Sequence, residues 1–251
     1  MRVVVVGASS GLGRCIGVGL AQRGARVALL ARRRDRLERA AVEAGNDAIG
    51  LECDVTDAAS CNAAIGKAAA ELGGIDALVY TPAIGPLAKL TDTDSETWHR
   101  VFDTNVIGAA LITTAALPHL TASNGTAMYL SSVSASLTPP WPGLGAYAVS
   151  KAALDKLVEA WRAEQPGVNF TRCIVGDCGG GPGESATGFA DNWDWDLLGQ
   201  LHAVWTERGL LAGALIDPEH LVEAIDGVLR GGTTLSVPSV TLAARPPAAQ
   251  E

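Results

Sequence analysis

Apolar positions along this chain fall into two kinds of run: short β-branched blocks, and longer segments in which they return every third or fourth residue. Arg2–Val6 is almost pure valine, which predicts a strand buried on both faces. After Gly7-Ala8-Ser9-Ser10-Gly11-Leu12-Gly13, the stripe Leu12, Ile16, Leu20 predicts a helix that closes at Gly24. Further strands are expected at 25–30, 48–53, 75–80, 127–130 and 168–175, with a last one at 234–237. Between them lie helical patterns: one capped by Asp35 and ended by Gly45, one running to Leu72, and a long one around Trp98, Val101, Asn105 and Leu111 that Pro118 should stop. Two more start near Tyr147 and at Asp217-Pro218-Glu219. Strand and helix alternate with short connections, which predicts an α/β fold: one doubly wound parallel sheet of about seven strands with helices on both faces.

Beyond residue 175 the pattern loosens. A glycine-rich stretch around Gly179-Gly180-Gly181 precedes a segment carrying Trp193, Trp195 and Trp205 without a clean period. We expect 1–242 to be a single catalytic domain, with 176–213 as a substrate lid hinged at the glycines and 243–251 as a flexible tail.

With 251 residues, 48% of them apolar, the chain can bury one large core and needs no second domain. The net charge is −8 and nine arginines fall before residue 40, so the later chain is markedly acidic and unsuited to nucleic acid. Its apolar runs look too interrupted to reach the roughly 18 residues that cross a bilayer. No leader pattern precedes the first strand, so a cytoplasmic protein is expected. Five cysteines (Cys15, Cys53, Cys61, Cys173, Cys178) without C-x-x-C spacing read as reduced and mostly packed, with Cys178 a candidate reactive thiol. His99, His119, His202 and His220 lack ligand spacing, although His202 would reach the pocket if the lid folded over it. Asp191, Asp194 and Asp196 read as solvated acids, so no metal is expected.

Glycines between a buried strand and a helix let backbone amides approach a pyrophosphate at the positive helix end, the Rossmann-like arrangement. Gly7, Gly11 and Gly13 stand in that place, with Ser9, Ser10 and Leu12 between them. At the end of the second strand a carboxylate would hold a ribose 2′-hydroxyl, whereas arginine accommodates a 2′-phosphate. Here Arg32 and Arg33 stand there and no acid occurs before Asp35, which predicts NADP(H); the plainer reading is two solvated arginines at a helix entrance. Asp54, past strand three, is placed to accept from the adenine amino group.

Tyr147 and Lys151 lie four residues apart at a helix start, so both side chains share one face. Bringing a phenol from pKa ~10 to ~7 takes roughly 4 kcal/mol, which one positive charge at about 4 Å supplies at an effective dielectric near 20. Burial of the phenol would oppose this, so the site is expected to be polar or wet.

With the glycine loop, Asp54-Val55, Asn105 and Tyr147-x-x-x-Lys151 in this order and spacing, the chain resembles the short-chain dehydrogenase/reductase family over nearly its whole length. The resemblance implies Tyr147 as general acid/base, Lys151 as its modulator and ribose ligand, Asn105 as support of a proton relay, and Ser132 as the hydroxyl that orients the carbonyl. Ser134 is a rival to Ser132, because the loop to Tyr147 is slightly long. The implied cofactor set is Gly7, Ser9, Ser10, Gly11, Leu12, Gly13, Arg32, Arg33, Asp54 and Val55, with Tyr147 and Lys151. Two departures stand out: Tyr80-Thr81-Pro82-Ala83 replaces Asn-Asn-Ala-Gly after strand four, and Val175-Gly176-Asp177-Cys178 replaces a Pro-Gly turn after strand six.

The resulting expectation is an NADP(H)-dependent oxidoreductase interconverting a carbonyl and an alcohol on a small apolar substrate. The alternatives are a catalytically silent dinucleotide-binding regulator or scaffold, and an isomerase or dehydratase with tightly held cofactor. Family habit favours a homodimer or homotetramer.

Overall fold

In the computed structural model, which describes residues 1–211, 213–232 and 234–245, seven parallel strands form one sheet in the order β3-β2-β1-β4-β5-β6-β7. The strands are β1 (Arg2–Val6), β2 (Arg26–Ala31), β3 (Ile49–Glu52), β4 (Ala77–Tyr80), β5 (Thr126–Ser132), β6 (Asn169–Val175) and β7 (Ser239–Leu242). The central strands are buried on both faces, as valine-rich parallel strands must be when helices cover each side. One face packs on α3 (Ala58–Leu72), α5 (Gly108–Ser123) and α7 (Gly145–Glu164); the other packs on α1 (Gly11–Gln22), α2 (Arg34–Ala44) and α9 (Pro218–Leu229). Strand order reverses between β1 and β4, and at such a switch point the carboxyl ends of the strands open a crevice.

Several boundaries differ from the sequence expectation, each for a local reason. Asp35 lies in the first turn of α2, two residues past the N-cap position, which Arg33 occupies. Pro118 does not stop its helix, which runs on to Ser123 and closes at Asn124 with φ 50°. Both Pro118 and Thr114, whose carbonyl the proline leaves without a helix donor, are exposed, so the missing bond is not buried away from solvent. The last strand is Ser239–Leu242 rather than 234–237, paired through Arg172 to Ser239. Of the expected tail, residues 246–251 lie outside the described residues.

The long helix is continuous from α4 (Ser95–Phe102) through a π-turn (Asp103–Ile107) into α5. Contrary to the expectation from the sequence, this 29-residue helix is long and apolar enough by composition to cross a membrane. Val101, Ile112, Ala116 and Leu120 are buried in the fold, which is how a core helix acquires such a composition.

The lid region holds one more helix without a clean sequence signal, α8 (Trp195–Glu207), capped by Asp194, whose Oδ1 accepts from Asp196 N–H and Leu197 N–H. Its buried side joins Leu87, Leu144, Leu201 and Trp205 in a separate small core that sits over the crevice.

Candidate active site

The glycine loop is shaped first by backbone packing. A Cβ on Gly13 would lie 2.4 Å from both the Gly7 carbonyl and Thr81 Oγ1, so only glycine lets α1 meet β1 and β4 this closely. Gly7 has φ 83°, a conformation that side chains disfavour. Ser10 does not cap α1 with its side chain, and among the described residues the first-turn amides of Leu12 and Gly13 have no acceptor. Unpaired amides at a helix N-terminus attract an anion. Arg33 reaches over the loop, donating from Nε and Nη2 to Ser9 Oγ at 3.1 and 2.8 Å and from Nη2 to Ser10 Oγ at 2.6 Å. Partial burial and the neighbouring Arg36 and Arg32 hold its pKa below the ordinary guanidinium value, as in a cationic cluster awaiting negative charge. Helix amides, two hydroxyls and the arginines together fit the phosphates of a dinucleotide.

Asp54 accepts at Oδ1 from Thr56 N–H and Thr56 Oγ1, at 3.0 and 2.8 Å, which steadies the turn after β3. Val55 turns its side chain inward, against the place where a Gly108 Cβ would stand. Only its backbone is left to meet a cofactor.

The departure after β4 keeps local support. Thr81 Oγ1 donates to the Val6 carbonyl at 2.6 Å, tying β4 to β1, while the Tyr80 hydroxyl donates to the Thr104 carbonyl in the π-turn. That π-turn aims Asn105 into the core, fully buried. Asn105 Oδ1 accepts from Ile84 N–H at 2.9 Å; its Nδ2 donates to the Ile84 carbonyl at 2.9 Å and to Ser150 Oγ at 2.8 Å. Asn105 therefore clamps the 81–94 loop to α7, with no side-chain bond to Lys151.

Ser132, Tyr147 and Lys151 do converge. Ser132 ends β5 and caps the short helix α6 (Val133–Ser136), with its Oγ 3.2 Å from Ser134 N and 3.0 Å from Ser134 Oγ. The two serines thus form one hydroxyl pair. Lys151 Nζ lies 5.8 Å from the Tyr147 ring centroid and donates to the Leu130 carbonyl at 2.6 Å. Burial pushes the Tyr147 phenol up to about 12, partly offset by the Ser132 hydroxyl facing it. Burial also brings Lys151 down to about 8, partly offset by the charge of Asp155. Without the cofactor's charge, burial outweighs Lys151 and the Tyr147 pKa is shifted upward.

The cause is the lid. Phe189 sits edge-on to Tyr147 with ring centroids 5.0 Å apart, and Trp193 follows at 5.6 Å from Phe189. Trp205 and Trp141 extend the array, while Trp193 Nε1 donates to the Gly85 carbonyl at 2.8 Å. Trp195 does not join it and is exposed, as is His202, which stays out of the pocket. The lid also rests on the glycine loop. Gly11 N–H donates to the Ala186 carbonyl at 3.2 Å, and Glu184 pairs with Arg14 at 3.1 Å and with Arg39 at 2.6 Å. Cys178 donates to the Ile216 carbonyl at 3.2 Å and its thiol is pushed up by burial, so it lacks thiolate character. No metal-ligating cluster occurs among the described residues. Phe189, Ser150, Thr81 and Glu184 escape sequence reasoning because each acts through a contact distant in sequence.

Residues 1–179 match the short chain dehydrogenase family. A short chain dehydrogenase of Pseudocercospora fijiensis is 38% identical over 170 residues, covering 65% of this chain and 54% of that protein. The 11-beta-hydroxysteroid dehydrogenase-like 2 of Arabidopsis thaliana is 33% identical over 180 residues, 69% of this chain and 58% of its own length. The chain therefore spans just over half the length of these curated relatives. Among solved structures, a short-chain type dehydrogenase/reductase from Mycobacterium marinum aligns with TM-score 0.82 and 26% identity over 96% of this chain and 93% of that one. An alcohol dehydrogenase from Thermococcus sibiricus complexed with 5-hydroxy-NADP shares the fold, with TM-score 0.79 and 24% identity over 96% and 94% of the two chains.

Proposed function

The chain belongs to the short-chain dehydrogenase/reductase family, and from that premise we propose that it is an NADP(H)-dependent oxidoreductase reducing a small apolar carbonyl compound to an alcohol. The observation that carries the reading is the convergence of Ser132, Tyr147 and Lys151 beneath the aromatic lid, beside a cationic helix N-terminus. The Leu12 and Gly13 amides would hold the pyrophosphate, and Arg33 with Ser9, Ser10 and Arg32 would hold the 2′-phosphate. Asp54 would meet the adenosine side. When bound, the nicotinamide cofactor supplies or takes up the hydride. The protein's own residues do the rest.

The Ser132 hydroxyl, paired with Ser134, donates towards the carbonyl oxygen and polarises it. Tyr147, held protonated near neutral pH, delivers its phenolic proton to the same oxygen as negative charge develops there. Lys151, as an ammonium beside the ring, stabilises the phenolate left behind. Asn105 acts by keeping the 81–94 loop against α7. Phe189, Trp193 and the leucines beneath them exclude water and favour an uncharged, apolar substrate. A protonated phenol suits reduction better than alcohol oxidation at neutral pH.

In this reading residues 1–242 act as one catalytic unit with 176–213 as its lid. Copies associate through the outer faces of the long helix and α7, where Ile107 and Val149 are about half exposed. Five free cysteines accord with a reducing, cytoplasmic setting. The test is NADPH consumption against a panel of apolar ketones and aldehydes. Steady consumption with alcohol formation supports the proposal. Cofactor binding without turnover on any member would point to a silent dinucleotide-binding protein, and product without net consumption to an isomerase.

A further inference from the structure

Asp155 is buried, 5% exposed, one turn beyond Lys151 on the same face of α7, and the chemistry above leaves it unused. Neither of its carboxylate oxygens has a hydrogen-bond partner among the described residues. Facing it from the sheet are the Ser131 hydroxyl on β5 and Arg172 on β6, whose Nε has no hydrogen-bond partner among the described residues; both favour the ionised carboxyl, but burial outweighs them and raises its pKa above the ordinary value. A buried carboxylate so placed is costly unless a cation compensates it.

Arg172 also faces that carboxylate, but its charge is shared. Its Nη1 already pairs with Glu159 Oε1 at 2.9 Å, and Glu159 in turn takes Lys156. Lys151, 2% exposed, has one protein acceptor, the Leu130 carbonyl, and no other carboxylate faces it. Lys151 and Asp155 thus stand as two buried groups of opposite charge on consecutive turns, with Arg172 the other cation that faces the carboxylate. The other titratable groups in this neighbourhood are Tyr147 in front of Lys151, and Glu159 and Arg172 behind Asp155.

We propose that Asp155 is a positioning residue whose carboxylate keeps the buried Lys151 ammonium charged, and so keeps it able to support proton transfer at Tyr147. The inference rests on the catalytic reading above, but it concerns a property of the resting protein. Burial alone drives Lys151 towards the neutral amine, and a neutral amine cannot stabilise a phenolate. Asp155 is the opposing charge.

The test is the titration of Lys151, read from the 13Cε resonance in protein labelled at its four lysines, of which Lys151 is the buried one. Side chains one helical turn apart lie about 6 Å from each other, so at an effective dielectric near 20 one charge moves its neighbour's pKa by about one to two units. In Asp155→Asn the Lys151 inflection is expected to fall by that amount from its wild-type position near pH 8, and in Asp155→Glu to return most of the way. The alkaline limb of kcat should move to lower pH by the same interval, with cofactor affinity unchanged below it. An inflection that stays put in folded Asp155→Asn overturns the proposal, as does a lower kcat without movement of the limb. If Asp155→Asn does not fold, the wild-type protein decides. An Asp155 carboxyl that is ionised throughout the Lys151 titration supports the pairing, and one that is neutral there overturns it. The resonance needs no substrate, so a failed carbonyl panel and a failed pairing are separate results.

Discussion

Arg33→Gln tests the cofactor preference at its most exposed point. Arg33 already draws together Ser9 and Ser10 with three hydrogen bonds, and its guanidinium is held among Arg32 and Arg36 at depressed pKa. A 2′-phosphate arriving there would exchange two neutral acceptors for a dianion. Charge-assisted hydrogen bonds contribute about 1.5–3 kcal/mol each, so losing one weakens NADPH about 10- to 150-fold. NADH has no group at that position and should change less than about threefold. Titration calorimetry of both cofactors on both proteins, at low and physiological salt, reads the effect. The gap between cofactors should narrow as salt rises, because this corner is open to solvent. Equal losses for NADPH and NADH, at unchanged melting temperature, would refute the assignment and leave Arg33 as a brace for the glycine loop.

Three further outcomes follow from the same geometry. Asn105→Ala removes three buried hydrogen bonds and strands Ile84 N–H and Ile84 C=O, while the Ser150 hydroxyl keeps its bond to the Tyr147 carbonyl; unfolding should cost about 3–5 kcal/mol less, lowering the melting point by about 10 °C. Phe189→Ala opens the space over Tyr147, and because burial is what raises that phenol to about 12, spectrophotometric titration should show one tyrosine ionising at lower pH while deeply buried Tyr80 and Tyr129 stay high. Asp76 is held below the usual carboxylate value by Arg2, so its contribution to stability is present above the unfolded value near 4 and is lost as pH falls through the lower folded value. Asp76→Asn should flatten the acid slope of denaturant-unfolding free energy in that range.

The sheet was legible because parallel buried strands write themselves as unbroken β-branched runs, and Arg2–Val6 is the plainest case. Helix ends were less so. Pro118 acts as a stop only where the orphaned carbonyl has nowhere to go, and solvent exposure of its helix face is invisible in sequence. The nearness of Tyr147 to Lys151 was legible from their four-residue spacing, and that of Ser132 from its place at a strand end. The electrostatics were not. Spacing places Lys151 near Tyr147, but whether the phenol is lowered or raised depends on how much water Phe189 excludes, a contact 42 positions away along the chain. Asn105 shows the same limit: its position was evident, whereas its three partners are set by a loop and a helix that meet only in the folded chain.

The most direct test of the central claim, that Tyr147 handles the proton in a carbonyl reduction, is turnover by Tyr147→Phe with NADPH and any carbonyl the wild-type protein reduces, measured beside NADPH affinity. The substitution keeps the ring against Phe189 and deletes one oxygen. The account predicts that turnover falls by at least about a thousandfold while NADPH binds within about threefold of wild type. Turnover close to wild type would contradict it.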